Sequence, residues 1–144
     1  MINIRNATES DLDAVCSMEN EWMPSPWSRQ GFESELSNSF SHFLVAENEN
    51  GIAGYAVAWR VAGELQLNRI LIHASQRRRG IGRALLKNLA RRLTPSPHSR
   101  ILIEVRSKNL EARSFYSSVG FVETGRRRRY YGGDDAVLME LKIK

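Results

Sequence analysis

The spacing of apolar positions along the chain changes several times, and each change marks an element. Ile2–Asn6 alternates apolar and polar residues, as a short strand does. Thr8 and Asp11 have the spacing of a capping box, with an acid in the Glu/Gln slot. Leu12, Val15, Cys16 and Glu19 then fall at helical spacing, so a first helix is expected. Met23-Pro24-Ser25-Pro26 ends it, because proline lacks a donor and restricts its predecessor. Ser28 is placed to cap a second helix through about Asn38, with Phe32, Glu35 and Leu36 on one side.

His42–Glu47 and Ile52–Val61 read as strands joined through Asn48–Gly51, where Asn50-Gly51 suits positive φ. Ala62-Gly63 turns the chain again, and Glu64–Ile72 completes an antiparallel meander. Its expected buried positions are Leu65, Leu67 and Ile70, with a phase slip after Leu67 of the kind a β-bulge makes. Ile81, Ala84, Leu85, Leu89 and Leu93 recur at three- and four-residue steps and predict an amphipathic helix over Gly80–Leu93. Thr94-Pro95-Ser96-Pro97 stops it. Ile101–Val105 is a nearly continuous apolar strand, expected to be buried on both faces. Asn109 caps the next helix, Ala112, Phe115, Tyr116 and Val119 form its face, and Gly120 ends it. Phe121–Tyr130 and Ala136–Leu141 close as a hairpin around Gly132-Gly133-Asp134. The expected order is β-α-α-β-β-β-α-β-α-β-β, an α/β (α+β) arrangement.

Composition narrows the picture. A chain of 144 residues suits one domain over its whole length. Roughly 68–70% of the unfolded surface can be buried at this size, so no disulfide or metal is needed to hold a core. The first fifteen residues alternate and carry Glu9, Asp11 and Asp13, which excludes the apolar core of a signal peptide. No apolar run approaches the roughly 18 residues of a membrane span. Lone Cys16 has no disulfide partner within the chain, and with these absences a cytoplasmic location is expected. Cys16 reads as packing rather than as a nucleophile. His42, His73 and His98 do not cluster, and no metal site is expected.

The formal charge of +5 is unevenly placed, with Arg77, Arg78, Arg79 and Arg83 in one run and Arg126–Arg129 in another. Such runs favour polyanions (phosphates, a nucleotide cofactor, RNA) or are simply solvated faces. On a strand, Arg126–Arg129 alternate faces and cannot all line one site. The run Arg77-Arg78-Arg79-Gly80-Ile81-Gly82-Arg83 lies between a strand and a helix. A diphosphate needs converging donors, and the first turn of a helix supplies unpaired N–H groups and partial positive charge. Gly80 and Gly82 let the backbone approach closely. The run lacks the Lys-Ser or Lys-Thr of a Walker A loop and is too short for a dinucleotide fingerprint. Glu104 interrupts an apolar strand and either faces a cleft or lies near a strand end in water. Tyr116 is either a core aromatic or a proton donor.

Arg77, Gly80 and Gly82 match Arg/Gln-x-x-Gly-x-Gly/Ala, and the chain resembles the GNAT superfamily of N-acetyltransferases on this loop. It is most similar to RimI-type members, which acetylate the N-terminal residue of a ribosomal protein. The pieces that match are Pro26-Trp27-Ser28, Ile103–Asn109, Phe115–Phe121 and Arg127–Tyr131. The resemblance implies a mixed, mostly antiparallel sheet of about seven strands flanked by about four helices. It implies acetyl-CoA as cosubstrate, with no metal, and a protein N-terminus as acceptor, such as that of a ribosomal protein. Residues carried over for the cofactor are Ile70, Leu71 and Ile72 through their backbone, Arg77, Arg78, Arg79, Gly80, Ile81, Gly82 and Arg83 at the diphosphate, and Asn109 and Tyr116. Glu104 becomes the base and Tyr116 the acid. Trp27, Arg69, Tyr130 and Tyr131 become acceptor contacts; the two tyrosines also read as cover for the sheet. Asn68-Arg69 departs from the family, which usually has Asn directly before Ile70. Ribosome contact through the basic runs, no membrane contact, and a monomer or weak dimer complete the expectation. The rivals are an enzyme of the same fold for a small amine, which a basic surface does not favour, and a non-catalytic acyl-CoA- or RNA-binding module.

Overall fold

A computed structural model describes residues 2–93, 99–128 and 133–143. Among them are seven strands, hydrogen-bonded in the order β1-β2-β3-β4-β5-β7-β6, and four α-helices. The strands are β1 (Asn3–Asn6), β2 (Ser41–Asn48), β3 (Gly51–Val61), β4 (Glu64–Ile72), β5 (Arg100–Arg106), β6 (Val122–Arg127) and β7 (Ala136–Lys142). The helices are α1 (Leu12–Trp22), α2 (Arg29–Ser37), α3 (Ile81–Arg91) and α4 (Leu110–Val119). The β1–β2, β2–β3, β5–β7 and β6–β7 pairs are antiparallel, whereas β4–β5 is parallel through Leu65↔Ile101 and Gln66↔Leu102. The mixed, mostly antiparallel sheet is thus present. The residues fall into two compact units, 1–60 with 67–92, and 61–66 with 93–144.

In the first unit a 3₁₀ turn over Glu9–Asp11 leads into α1, and the Thr8 backbone N–H donates to the Asp11 carboxylate at 2.8 Å. Ser28 caps α2 by accepting from the Gly31 N–H at 3.0 Å. The apolar faces of both helices meet one face of β2 and β3. Leu12, Val15, Met18, Phe32, Phe43, Val45, Tyr55, Val57 and Leu71 form that core, with Cys16 half-buried against it. Phe32 sits at its centre, with ring centroids of Phe43 at 5.6 Å and Tyr55 at 5.9 Å. Truncating such a side chain to alanine costs about 3–5 kcal/mol. The alternate residues Leu44, Ala46, Ala56 and Ala58 are also buried, and α3 packs on β2. The strands buried on both faces are therefore β2 and β3. In the second unit β5 alternates instead: Ile101, Ile103 and Val105 are buried, Leu102 is half-buried and Glu104 is exposed. This corrects the expectation of a doubly buried β5; one-sided cover leaves its second face open to polar groups.

A second correction concerns β4. Its buried residues are Leu65 and Leu71, of one parity, while Leu67 and Ile70 are only half-buried. Leu71 takes the place in the core expected of Ile70. The β3–β4 turn places Ala62 and Gly63 at φ 51° and 83°, the positive pair that a tight hairpin requires. The α3 face includes Leu86, with Ala84 half-buried beside it.

Candidate active site

The first unit carries the arginine–glycine run. After β4 a short 3₁₀ turn, Ala74–Gln76, leads into it, with His73 Nδ1 accepting from the Ser75 N–H at 3.1 Å. The backbone then enters the left-handed region twice, at Arg78 (φ 65°) and at Gly80 (φ 79°). Such a conformation costs a non-glycine residue roughly 1–2 kcal/mol, so Arg78 holds strain beside a glycine that holds none. Gly80 is the N-cap of α3 and offers no side-chain cap; a Cβ built there meets nothing within 4 Å. The first turn contains no acid, and Ile81 and Gly82 are buried while Arg83 is exposed. An uncapped helix start with open space above it and arginines around it suits a diphosphate. Arg77 lies over the Trp22 ring at 5.7 Å and reaches the Ile72 carbonyl at 3.4 Å; Arg79 donates to Gln76 at 3.4 Å.

Ile70–Ile72 lead directly to that loop. Gly54 of β3 backs them: a Cβ there would stand 2.8 Å from Ile72 Cδ1 and 2.9 Å from the Leu71 carbonyl oxygen. Only glycine lets β3 run this close, a requirement the alternation of β3 did not disclose. The Asn68 Nδ2 atom is buried without a partner among the described residues. A buried unpaired donor costs about 1–3 kcal/mol and calls for an explanation, such as a ligand or water beside it.

Arg69 and Trp27 are brought together, and the residue that joins them is Glu19. Its side chain is 0% exposed. Oε1 accepts from Tyr55 Oη at 2.6 Å. Oε2 accepts from Arg69 Nε and Nη2 at 2.9 and 2.6 Å and from the Trp27 N–H at 2.9 Å. Arg69 Nη2 also donates to the Ser25 carbonyl at 2.6 Å, and the guanidinium lies over the Trp27 ring at 4.9 Å. Burial, and then the hydrogen bond to Glu19, push the Tyr55 phenol above its ordinary range. Neither Glu19 nor Tyr55 was assigned from the sequence. The available signal was an acid on the apolar stripe of α1 beside Leu12 and Val15.

The second unit carries the candidate base and acid. Glu104 on β5 is 35% exposed and pairs with Arg127 of β6 at 3.2 Å. Asn109 caps α4 by accepting from the Ala112 N–H at 3.2 Å. Tyr116, one residue beyond Phe115 on α4, is 8% exposed and packs against Phe115 and Phe121 at 5.3 and 5.4 Å. Burial raises its phenol above the ordinary range, so it stays protonated at neutral pH. The basic strand is largely matched by acids: Arg126 pairs with Glu123 at 2.7 Å, and Arg127 pairs with Glu104. Arg128 is exposed. Arg129, Tyr130, Tyr131 and His98 lie outside the described residues.

Cys16 is raised above its usual range chiefly by burial, which disfavours the thiolate. Among the described residues no group of His, Cys, Asp or Glu is gathered as a metal would require, and no helix is long and apolar enough to cross a membrane.

The model of the acetyltransferase (GNAT) domain matches residues 7–143. The ribosomal protein bS18-alanine N-acetyltransferase of Escherichia coli is 33% identical over 147 residues, covering 99% of each chain. The crystal structure of the Escherichia coli ribosomal-protein-S18-alanine N-acetyltransferase superimposes with a TM-score of 0.85 at 30% identity, covering 100% of this chain and 95% of that one. Arabidopsis thaliana NAA60, solved with acetyl-CoA, shares the fold with a TM-score of 0.84 at 16% identity, covering 98% of each chain. A matching family model over nearly the whole chain, and a full-length relative of this identity, show that the chain belongs to the GNAT family and is an acetyltransferase.

Proposed function

We propose that this enzyme acetylates the N-terminal α-amino group of a protein, with a ribosomal protein as the acceptor, as its Escherichia coli relative's name describes for that enzyme. The observation that carries the cofactor half of this reading is the uncapped start of α3 behind Gly80. The amides of the first turn receive the diphosphate, with Arg77, Arg78, Arg79 and Arg83 supplying charge. Bound acetyl-CoA supplies the activated thioester. The backbone of Ile70–Ile72 polarises the carbonyl by N–H donation, a role any side chain could accompany.

An α-amine has an ordinary pKa near 7.7–8.0, so most of it is protonated at neutral pH. Glu104 accepts its proton, directly or through water. Half-open to solvent, this carboxylate can pass the proton on. Tyr116 acts at the sulfur as the C–S bond breaks. A thiol has a pKa near 8.5, well below that of a buried phenol, so complete transfer from Tyr116 would be uphill. Its contribution is a hydrogen bond to the developing thiolate, and solvent completes the protonation. Asn109 fixes the start of α4, the helix that carries Tyr116 nearer its other end. Arg69 and Trp27 form the acceptor wall, and Tyr130 and Tyr131 are assigned to the same role. Arg126 and Arg128, both exposed and of one parity, serve as the surface that meets the ribosome, while Arg127 pairs with Glu104.

The test uses two peptides of one sequence beginning with alanine and containing lysine, one free and one blocked at its N-terminus. Mass spectrometry after incubation with acetyl-CoA is expected to find the acetyl group on the free α-amine only. Equal turnover of both peptides would place the chemistry on a side chain and overturn the reading.

A further inference from the structure

The Glu19–Arg69 cluster leaves one donor edge unused. Arg69 Nε and Nη2 are committed to Glu19, and Nη2 also to Ser25. Trp27 covers one face of the guanidinium. Nη1 has no acceptor among the described residues, although the side chain is only 19% exposed. Everything around this arginine fixes its plane and presents a single nitrogen outward.

We infer that Arg69 Nη1 anchors a backbone carbonyl oxygen of the acceptor polypeptide, and that Glu19 is the positioning residue that holds it in place. This rests on the acceptor being a protein N-terminus. Charge selects the ligand. The Glu19–Arg69 pair is neutral as a whole, so it neither repels a cationic chain terminus nor strongly attracts a carboxylate. What remains at Nη1 is a directed N–H donor, suited to the dipole of a peptide carbonyl. Position selects the carbonyl. Arg69 directly precedes Ile70, where the reacting segment begins. Residues of an extended chain advance about 3.3 Å each, so carbonyls of the first two acceptor residues are the ones within reach of a side chain rooted there. Glu19 matters because a mostly buried guanidinium without its counter-charge would be driven toward solvent.

The experiment compares kcat/KM for an alanine-led peptide with the same peptide carrying a thioamide at its first or second carbonyl. Sulfur is the weaker acceptor. The wild-type enzyme is expected to lose about 10-fold or more at one of the two positions, the scale of a hydrogen bond from a charged donor. In Arg69→Lys, which keeps the charge but has one nitrogen in place of three, that penalty falls below about threefold. Glu19→Gln reduces the penalty as well, whereas a purely structural role would lower turnover of both peptides alike. If Arg69→Lys fails to fold, the double variant Glu19→Gln/Arg69→Met, which removes both charges together, replaces it. A penalty of the same size in wild type and variant overturns the inference while leaving N-terminal acetylation intact. No turnover of the unmodified peptide, with acetylation of lysine in the blocked one, overturns the acceptor reading itself.

Discussion

Each unit contains a carboxylate paired with an arginine, and the two pairs are built to opposite ends. Glu19 and Arg69 stand 2.6 Å apart, 0% and 19% exposed, and the remaining lone pairs of the carboxylate are taken by Tyr55 and Trp27. Glu104 and Arg127 stand 3.2 Å apart, 35% and 53% exposed. A buried, fully bonded acid cannot exchange its partner without exposing a charge in a poor solvent. An exposed pair contributes about 0–1 kcal/mol, and water or another cation can take the place of the arginine. The first arrangement suits a fixed wall. The second suits a base, which must meet an ammonium group and hand its proton to water.

Glu104→Gln is expected to lower kcat by about 10²–10⁴-fold with an unshifted melting temperature. Unchanged turnover across pH would remove this residue from the chemistry. Glu19→Ala is the reverse case. It leaves Arg69 uncompensated, and denaturant unfolding is expected to register a loss of about 3–5 kcal/mol; a loss below about 1 kcal/mol would mean the pair is not the fixed element described. Gly54→Ala pushes β3 against the Leu71 carbonyl and is expected to cost about 1–3 kcal/mol, seen in the same unfolding measurement, with a matching fall in turnover. Arg127→Gln is the smallest, within about 1 kcal/mol of wild-type stability.

A third pair sharpens the contrast through pH. Hydrogen bonding to Arg5, at 2.8 Å, holds the Asp11 carboxyl below its usual range. The unfolded chain then binds the Asp11 proton more readily than the folded one. Its contribution to stability is complete above the ordinary carboxylate pKa of about 4 and is lost as pH falls through the lower folded value. Asp11→Asn should therefore flatten the acid limb of a stability–pH curve, and an unaltered limb would contradict the assignment.

Local chemistry was readable along the chain. The Ser28 cap, the Gly51 and Gly63 turns, the Gly80 and Gly120 helix ends and the order of elements all follow from residues within a few positions of one another. The arginine–glycine turn into α3 was readable for the same reason, since a helix start needs only its own first turn. Long-range partners were not. Glu19 meets Tyr55 and Arg69 across 36 and 50 positions. Glu35 likewise meets Trp59 across 24, at 2.7 Å. Both acids lie on the apolar face of a helix, and only the packing reveals which donors satisfy them. Apolar content also misled at β5, where Leu102 continues the run but does not complete a second buried face. Which strand is covered twice depends on where helices settle, and they settled over β2.

Amide-resolved NMR during titration with acetyl-CoA tests the account most directly. The largest shifts are expected at the backbone N–H groups of Ile81, Gly82 and Arg83, with smaller ones along Ile70–Ile72. A protein that binds acetyl-CoA while those first-turn amides stay unmoved would contradict the site at the start of α3.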